Sequence, residues 1–353
     1  MPTIDQLKWS WLTGAINEIK SPNQFLKRLL FPNRVTLPTE DIEISQLSRG
    51  RETAPFVVKN GEGIMVGGHN ESFQTIQAPN IRIKKPFTPS ELLYTRRPGN
   101  TIFLNNDPSQ QVTALEQHIL RDTQGMADMI TNAEEWLCAQ ALTGTISYSV
   151  NGQDSFQVTS PRSGSTFLDV SGTAPWGTSN SRPLQDTHSV KKVMSDEVGL
   201  QPNIAICGKT ASEKLLEMAE ADLLPAFKTD SGVSAGTISF VEQFGEDGAI
   251  FLGTMGGIQF WEYSRTVEQN GSSVDLIEPK DIHFVSTSPA SERVLYYAAI
   301  PDMRAIEGQV FQGERFMKSW EVEDPSAMMS LAASRPLPVL RRADAIVTLT
   351  VAA

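Results

Sequence analysis

Length, composition and charge place the chain among globular proteins. It has 353 residues, of which 40% are hydrophobic and 20% charged, so it has enough apolar surface to bury a core. At roughly 150 residues per domain, this length allows two or three domains or one large elongated one. The formal net charge is −11 and no basic stripe is present, which argues against a protein that wraps DNA by gripping its phosphates.

Targeting signals and cysteine usage predict the compartment. The first 20 residues have no basic start followed by an apolar core, so we expect no signal peptide. No run approaches the roughly 20 apolar residues that span a bilayer. Cys138 and Cys207 each lie in an apolar run, which predicts two buried free thiols in a reducing environment. We therefore expect a soluble intracellular protein without a membrane partner.

The N-terminal segment, residues 9–31, carries two groups of apolar residues. Trp9, Leu12, Ile16 and Ile19 recur at helical spacing, and the stretch FLKRLLF (Phe25–Phe31) follows a Ser-Pro break. The pattern predicts two short helices, or one helix and an arm. The prolines that follow force the backbone into an extended conformation.

Residues 40–88 have the pattern of a long hairpin. Ile42 and Ile44 alternate with polar residues in DIEIS, and Ile81 and Ile83 alternate with basic residues in IRIKK. Between these stretches lies the glycine cluster GEGIMVGG. We predict two extended arms around a glycine-rich tip. The stretch has too few large apolar residues to bury a core of its own, so it needs another surface to lie on.

Residues 108–143 predict one long helix. Asp107 suits the N-cap, Pro108 the first helical position and Gly144 the residue after the C-terminus. At 1.5 Å per residue the helix is about 50 Å long, which is typical of a spine across an elongated body. Its apolar residues recur at steps of three, four or seven and include Val112, Leu115, Ile119, Met126, Leu137 and Ala141.

In the remainder of the chain, the pattern of predicted helices and strands changes at residue 186. TISYSV and SFQVTS, joined by Asn151-Gly152, predict a hairpin directly after the long helix. From residue 186 onward, helical and buried-strand patterns alternate, and a run of strands follows. The predicted strands are NIAICG, GAIFLG, GIQFWEY, IHFVS, VLYYAAI, PLPVL and DAIVTLTV. The chain is therefore α+β with an α/β body.

One motif points to a serine hydrolase. GVSAG at 232–236 matches the G-x-S-x-G nucleophile elbow, with Ser234 as nucleophile, Asp275 or Asp281 as the acid and His283 as the base. The elbow needs an apolar strand before it and a helix after it. Here the lead-in AFKTDS is polar and TISFVEQF is a strand pattern. We interpret GVSAG as a loop.

Other chemical motifs are weaker still. CGKT at 207–210 ends like a phosphate-binding loop, but the glycine required five residues before the second glycine is Asn203. The four histidines are dispersed without metal-ligand spacing. Neighbouring carboxylates such as Glu134-Glu135 point to different sides of a helix, so we predict solvated faces for them. We expect no catalytic residue, no metal site and no cofactor.

The order of these parts resembles the major capsid proteins of tailed bacteriophages with the Hong Kong 97 type fold, and in particular the lambda-type capsid protein family. The resemblance covers nearly the whole chain. It is carried in order by FLKRLLF, by the stretch from APFVVKNGEG to PFTPSEL, by TGTISYSVNG after the long helix, and by the C-terminal SRPLPVLRRADAIVTLTVAA. The loops at 151–185 and 225–240 match nothing in the family pattern.

The resemblance implies a structural protein with a defined division of the chain. The implied parts are the N-terminal arm 1–39, the extended hairpin loop 40–88, a peripheral domain 89–185 with the spine helix 108–143, an axial domain 186–298, a return through the peripheral domain 299–335, and C-terminal strands of the axial domain 336–353. The subunit would assemble into the icosahedral head shell of a phage, and an encapsulin-like nanocompartment shell is the alternative on the same fold.

The resemblance also implies partners and an interaction site. Partners are other copies of the chain in hexamers and pentamers, with possible decoration, scaffold and portal proteins. The shell would enclose DNA without sequence-specific binding, after assembly in the host cytoplasm. The hairpin loop would lie over a neighbouring subunit without a Lys59–Asn60 crosslink. The implied inter-subunit residues are Lys59, Asn60, Gly61, Gly63, Gly67, Gly68, Ile81, Ile83, Lys84 and Lys85, beside the spine-helix residues Leu115, Ile119, Met126 and Leu137.

Overall fold

Among the described residues up to 143, the chain forms two short helices, four strands and one long helix. The computed structural model describes residues 9–19, 24–48, 70–87, 108–150, 154–160, 162–220, 248–269, 271–302, 311–324 and 327–352. Its first elements are α1 (Trp9–Glu18), α2 (Phe25–Leu30), β1 (Asn33–Thr36), β2 (Asp41–Ser48), β3 (Asn70–Gln77), β4 (Ile81–Phe87) and α3 (Pro108–Thr143). The two predicted short helices and the bounds of the predicted long helix are therefore observed.

The remainder of the chain contains two α-helices and fourteen strands within the described ranges. These elements are β5 (Thr145–Val150), β6 (Asp154–Thr159), β7 (Phe167–Asp169), α4 (Pro183–Val198), β8 (Ile204–Cys207), α5 (Lys209–Glu220), β9 (Ile250–Met255), β10 (Ile258–Glu262), β11 (Thr266–Gln269), β12 (Ser272–Asp275), β13 (Asp281–Val285), β14 (Arg293–Tyr297), β15 (Phe316–Val322), β16 (Ala327–Ser334), β17 (Pro336–Leu340) and β18 (Ile346–Thr350).

The α/β body is built on a six-stranded sheet. Its strand order is β7-β18-β13-β8-β10-β9, with β8 parallel to β10 and antiparallel to β13. Every residue of β8 is buried, as expected for a central strand with the apolar sequence IAIC. Helices α4 and α5 cover the sheet, and their Val190, Met194 and Leu215 pack in one apolar cluster with Phe260 and Phe284. Both cysteines are free and buried, as predicted.

The six-stranded sheet takes in chain segments on both sides of the predicted axial range. Strand β7, at 167–169, pairs in parallel with β18, although the sequence analysis groups it with the segment before 186. Strand β17, at 336–340, pairs instead with β14 in a separate three-stranded sheet, β1-β14-β17. Strand partners are chosen by long-range packing, which local sequence patterns do not encode.

Helix α3, the predicted spine helix, contacts several elements outside the six-stranded sheet. A three-stranded sheet, β15-β16-β4, lies on it together with α1. The contact is an apolar cluster with Leu12 and Ile16 from α1, Met126 and Ile130 from α3, and Met317 from β15. In the described part of the stripe, Met126 and Ile130 face this sheet, whereas Leu137 and Ala141 pack in the main apolar cluster.

The hairpin pairs differently from the prediction. The observed arms are β2 and β3, which run antiparallel from Asp41↔Gln77 to Ser48↔Asn70. Residues 78–80, which include Pro79, end the second arm because proline cannot donate to a strand ladder. Strand β4, which carries Ile81 and Ile83, pairs with β16 instead. The predicted second arm is thus a separate strand that belongs to the sheet on the spine helix.

Candidate inter-subunit surfaces and the buried charge cluster

The base of the hairpin packs on the subunit's own core. Ile42 and Ile44 of β2 and Ile76 of β3 are buried in the main apolar cluster. That cluster also holds Leu137 of α3 and Tyr297 of β14. The hairpin base is therefore fixed within one subunit. The predicted tip residues lie outside the described residues, namely Lys59, Asn60, Gly61, Gly63, Gly67 and Gly68.

The other predicted hairpin residues lie on β4 and are held against the spine helix. Ile81 and Ile83 pack against the cluster between α3 and the β15-β16-β4 sheet. Lys85 forms an ion pair with Asp122 of α3. Lys84 lies 5.7 Å from the ring centroid of Trp320 on β15, which is a cation–π distance. These four residues are therefore parts of an anchored edge strand.

The spine helix presents a buried and an exposed face. Met126 and Leu137 are buried, whereas Leu120 and Met129 are exposed by 45% and 59%. Leu115 and Ile119, also predicted for the spine, lie within the helix. Exposed apolar side chains on a long helix are available for contacts with other molecules.

Two glutamates on the spine helix contradict the sequence analysis. Glu134 and Glu135 were predicted on solvated faces, but both are 0% exposed. The helical period that places Ile130 and Leu137 in the core also places residue 134 there, so the position was readable although its partners were not. A buried carboxylate requires compensating charges or hydrogen bonds, and these come from distant segments.

Glu134 is the centre of a buried ion-pair cluster. Its Oε2 lies 2.7 Å from Nζ of Lys27 on α2 and 3.2 Å from Nη2 of Arg315, which precedes β15. Its Oε1 accepts a hydrogen bond of 3.3 Å from the Tyr297 hydroxyl. Arg315 also donates to Thr131 Oγ1 at 2.9 Å. Burial alone would raise the pKa of Glu134, but Lys27 and Arg315 together hold that pKa below its usual range.

Glu135 is held by the backbone of helix α2. Its two carboxyl oxygens accept the N–H groups of Leu26 and Lys27, each at 3.2 Å. Burial raises the pKa of Glu135 to about 8, and these backbone hydrogen bonds and the nearby Arg265 oppose the rise only in part. The pKa values of the two neighbouring carboxyl groups are therefore shifted in opposite directions, down for Glu134 and up for Glu135.

Arg162 joins the spine helix to the α/β body. It donates to the carbonyl of Leu142, in the last turn of α3, at 2.7 Å and to the carbonyl of Ile346 on β18 at 2.6 Å. Its guanidinium also lies 4.3 Å from the ring centroid of Phe167. A cation at a helix C-terminus satisfies carbonyls that the helix leaves free and complements the helix dipole. The Arg162 side chain therefore connects the spine helix α3 to strand β18 of the six-stranded sheet.

The residues proposed for hydrolytic chemistry have structural partners. His283 is buried and its Nδ1 lies 3.1 Å from Thr348 Oγ1 on β18. Burial, with a contribution from Arg162, lowers the pKa of His283 to about 3, so the imidazole is neutral in the folded protein. Asp281 accepts a hydrogen bond of 2.6 Å from Thr350. Asp275 lies on the exposed strand β12, and Ser234 lies outside the described residues.

Two further features bear on the class of protein. Among the described residues, no group of three or more histidine, cysteine or carboxylate side chains is arranged to hold a metal ion. None of the helices in the described ranges combines the length and apolar character needed to cross a membrane. What the molecule does present is an anchored hairpin, an edge strand and a spine helix with exposed apolar side chains.

Two solved structures share this fold. A crystal structure described as a prophage capsid protein from E. coli CFT073 has a TM-score of 0.72 at 18% sequence identity, covering 98% of this chain and 99% of that chain. A phage-related protein from Bordetella bronchiseptica RB50 has a TM-score of 0.51 at 14% identity, covering 97% and 96%. The predicted α+β capsid fold of the Hong Kong 97 type is confirmed.

The family is shown by the sequence itself. The model of the family described as phage major capsid protein E matches residues 8–351, which is nearly the whole chain. The chain belongs to this family, and the predicted resemblance to lambda-type capsid proteins is confirmed. It is a structural subunit of a bacteriophage head shell and not an enzyme. Comparison with curated protein sequences gave no match.

Proposed function

We propose that copies of this chain assemble into hexamers and pentamers that close an icosahedral head around double-stranded DNA, in the host cytoplasm. The observation that carries this proposal is the hairpin β2–β3, whose base is buried in the subunit. The predicted glycine-rich tip belongs to residues 49–69 between these strands, which lie outside the described residues. A closed symmetric shell needs each subunit to reach its neighbour with a segment that its own core does not require.

We assign the parts of the chain to the shell as in the sequence analysis, except that β7 joins the α/β body and β17 lies in the separate sheet with β1 and β14. The N-terminal arm, the hairpin loop and the spine helix with its sheet form the periphery, and the α/β body lies at the centre of each capsomer. The two outer strands β4 and β15 support contacts between copies, because each has only one strand partner in the described part of the chain. An unpaired strand edge is satisfied by another chain.

The charge of the subunit suits an enclosed genome. A formal net charge of −11 disfavours binding to phosphates, so the inner surface would let packaged DNA move without sequence-specific attachment. Portal, scaffold and decoration proteins are part of the proposal as further partners. Obligate assemblies of this kind bury on the order of thousands of Å² per copy.

Electron microscopy of the purified protein, with its mass in solution, tests the assembly. We expect closed shells, or rings of five and six subunits, and nucleic acid as the content of shells formed in infected cells. A chain that stays monomeric even with a candidate scaffold protein would contradict the proposal. Shells filled with a single enzyme would favour a nanocompartment instead.

A deletion in the hairpin tests its role directly. Removal of 58–69 spares β3, which begins at Asn70, and should leave the unfolding midpoint of the subunit unchanged while closed shells disappear. Ser234→Ala is the matched control, and it should assemble like the unaltered chain. Normal shells from the deletion variant would refute the role of the hairpin. A ladder of crosslinked chains on a denaturing gel would refute the non-covalent contact at Lys59 and Asn60.

A further inference from the structure

A pocket of about 440 Å³ lies between the N-terminal segment and the α/β body. Helix α2 contributes Arg28 and Leu29 to one wall, and Gln259 of β10 contributes to the opposite one. Thr287, between β13 and β14, and Arg293, the first residue of β14, also line the pocket. The volume is in the range of pockets that bind a ligand or a short peptide segment.

The wall formed by the body is held in place by hydrogen bonds between three segments. The Asn203 side chain donates from Nδ2 to Thr287 Oγ1 at 2.5 Å, and its Oδ1 accepts the backbone N–H of Thr287 at 2.9 Å. The backbone carbonyl of Asn203 accepts the N–H of Gln259 at 3.0 Å. The polar groups of this wall are therefore fixed before anything enters the pocket, which lowers the entropic cost of binding.

Arg293 is a buried cation without an anionic partner in the described part of the chain. Its side chain belongs to a residue that is only 6% exposed. Its Nη1 donates to the carbonyl of Leu29 at 3.1 Å and its Nη2 to the carbonyl of Thr287, so the guanidinium lies between two residues of the pocket wall. Its Nε has no hydrogen-bond partner. Buried charges are normally paired, so an anion in this pocket would supply the missing partner.

The charges around the pocket favour an acidic group. Arg28 and Arg293 bring two positive charges, and none of the described lining residues carries a carboxylate. The neighbouring Glu292 pairs with Arg342 at 3.3 Å and does not line the pocket. The formal net charge of the chain is −11, so the pocket is a local positive site on an acidic molecule. Guanidinium groups match carboxylates in charge and in planar geometry.

A matching acidic feature is found where strand β15 turns back into β16. The chain reverses between Val322 and Ala327, which pair with each other. Glu321, Glu323 and Asp324 are exposed there, and Lys318 on the same strand pairs with Asp302 instead. The end of a two-stranded hairpin is narrow, so its side chains can enter a pocket that a flat surface cannot. The turn does not line the pocket of its own chain.

We propose that this pocket receives the β15–β16 turn of a second copy of the chain, with the carboxylates of the turn against Arg28 and Arg293. The contact rests on the proposed assembly and names one of its interfaces. Two different surfaces meet in it, and a heterologous contact of this kind generates rings when the rotation between copies closes. Because α2 and the body both line the pocket, the incoming turn also ties the N-terminal segment to the body.

Charge exchange on the full chain tests the contact. The critical concentration for assembly is measured by light scattering and sedimentation for Arg28→Glu, for Glu323→Arg and for the two changes combined. We expect each single change to raise this concentration by about tenfold and the combination to recover most of the loss, because the two charges then attract again. Arg182→Glu, the same reversal at an exposed position before α4, should assemble like the unaltered chain.

Three results of the charge exchange would overturn the proposal. The first is normal assembly of both single variants. The second is a defect in Arg28→Glu without one in Glu323→Arg, which would mean that a different acidic segment fills the pocket. The third is a combined variant no better than the weaker single one. If Arg28→Glu does not fold, Gln259→Glu replaces it, since it adds a carboxylate to the same pocket.

A disulfide experiment reads the same contact without requiring closed shells. Gln259→Cys is mixed with Glu323→Cys under mild oxidation, with one protein grown on heavy-isotope nitrogen so that mixed dimers are recognised by mass. The two native cysteines are buried and should not react. We expect mixed dimers from this pair and none when Gln185→Cys, an exposed position of α4, replaces Gln259→Cys.

The two experiments separate failure of this contact from failure of the proposed assembly. Shells that form while the pair at 259 and 323 gives no more mixed dimer than the control would overturn the contact alone. Mixed dimers from a chain that never forms shells would support the contact and contradict the head-shell proposal.

Discussion

The α/β body and the N-terminal segment are held by different forces. The body packs apolar side chains from both helices and the central strands, with Phe260 and Phe284 in edge-to-face contact at 5.9 Å. Helix α2 is fastened by Lys27, Glu134 and Glu135 as well as by apolar contacts. Apolar burial is nondirectional and insensitive to pH, whereas buried ion pairs need every partner in place. The body is therefore held mainly by apolar contacts, whereas the docking of helix α2 also depends on buried charged groups.

The two regions also respond to pH in opposite directions. His283 in the body is kept neutral by burial, so acid favours its unfolded, protonated form. Burial raises the pKa of Glu135 beside α2, so the contribution of this group to the free energy of unfolding falls as the pH rises above its ordinary pKa of 4.5. Burial of ionisable groups therefore limits the stable pH range from the acid side in the body and from the alkaline side in the N-terminal segment.

The largest expected effect comes from emptying the core of the body. Phe284→Ala removes a fully buried ring that packs on Phe260, and we expect a loss of about 3–5 kcal/mol in the free energy of unfolding. Denaturant unfolding measures it at two pH values, and the loss should be the same at both. Leu184→Ala, at an exposed position on α4, is the control. Equal losses in the two variants would contradict an apolar core at Phe284.

The next effect comes from the ion-pair cluster. Glu134→Gln leaves Lys27 and Arg315 buried without their anionic partner, and we expect a loss of about 3 kcal/mol in the free energy of unfolding. Denaturant unfolding gives the total, and hydrogen exchange at 25–31 shows whether the segment opens first. The matched control is Glu213→Gln. A change below about 0.5 kcal/mol would mean that the cluster does not hold the segment.

A smaller effect is expected at the joint between the spine helix and the body. Arg162→Ala frees the carbonyls of Leu142 and Ile346, and we expect a loss of about 2 kcal/mol in the free energy of unfolding. Arg162→Lys keeps a charge but cannot reach both carbonyls with a fixed fork, so it should recover only part of the loss. An unchanged free energy of unfolding in Arg162→Ala would show that these hydrogen bonds do not stabilise the contact between the spine helix and the body.

The smallest effect is the acid response of the body. The pKa of His283 is 6.5 in the unfolded chain and about 3 in the folded protein, so between these values only the unfolded imidazole is protonated. We expect the free energy of unfolding to fall by about 1 kcal/mol from this group between pH 6.5 and pH 5.5. Comparison with His283→Gln over this interval isolates the contribution, since the glutamine cannot titrate. If the free energy of unfolding changed with pH equally in both proteins, His283 would not contribute to the acid response.

Prediction from sequence was most successful where signals are local. The spine helix has a proline at its start, a glycine after its end and an apolar stripe between, and its observed bounds, Pro108–Thr143, are the predicted ones. The predicted hairpin β5–β6 is observed, but Val150 pairs with Asp154, so three residues connect the strands and not the two of the predicted Asn151-Gly152 turn. The candidate surface was harder, since Ile81 and Ile83 belong to a strand that pairs with β16 and not with the first arm of the hairpin.

The helices, most strands, the two buried thiols and the family were predictable from sequence, because caps, turns and apolar periods act over a few residues and the family pattern runs along the whole chain. Strand pairing and the burial of charges could be read only from the folded chain. Glu135 looks like a surface glutamate until α2 lies on it, because the free energy of a buried carboxyl group depends on partners brought from distant parts of the chain.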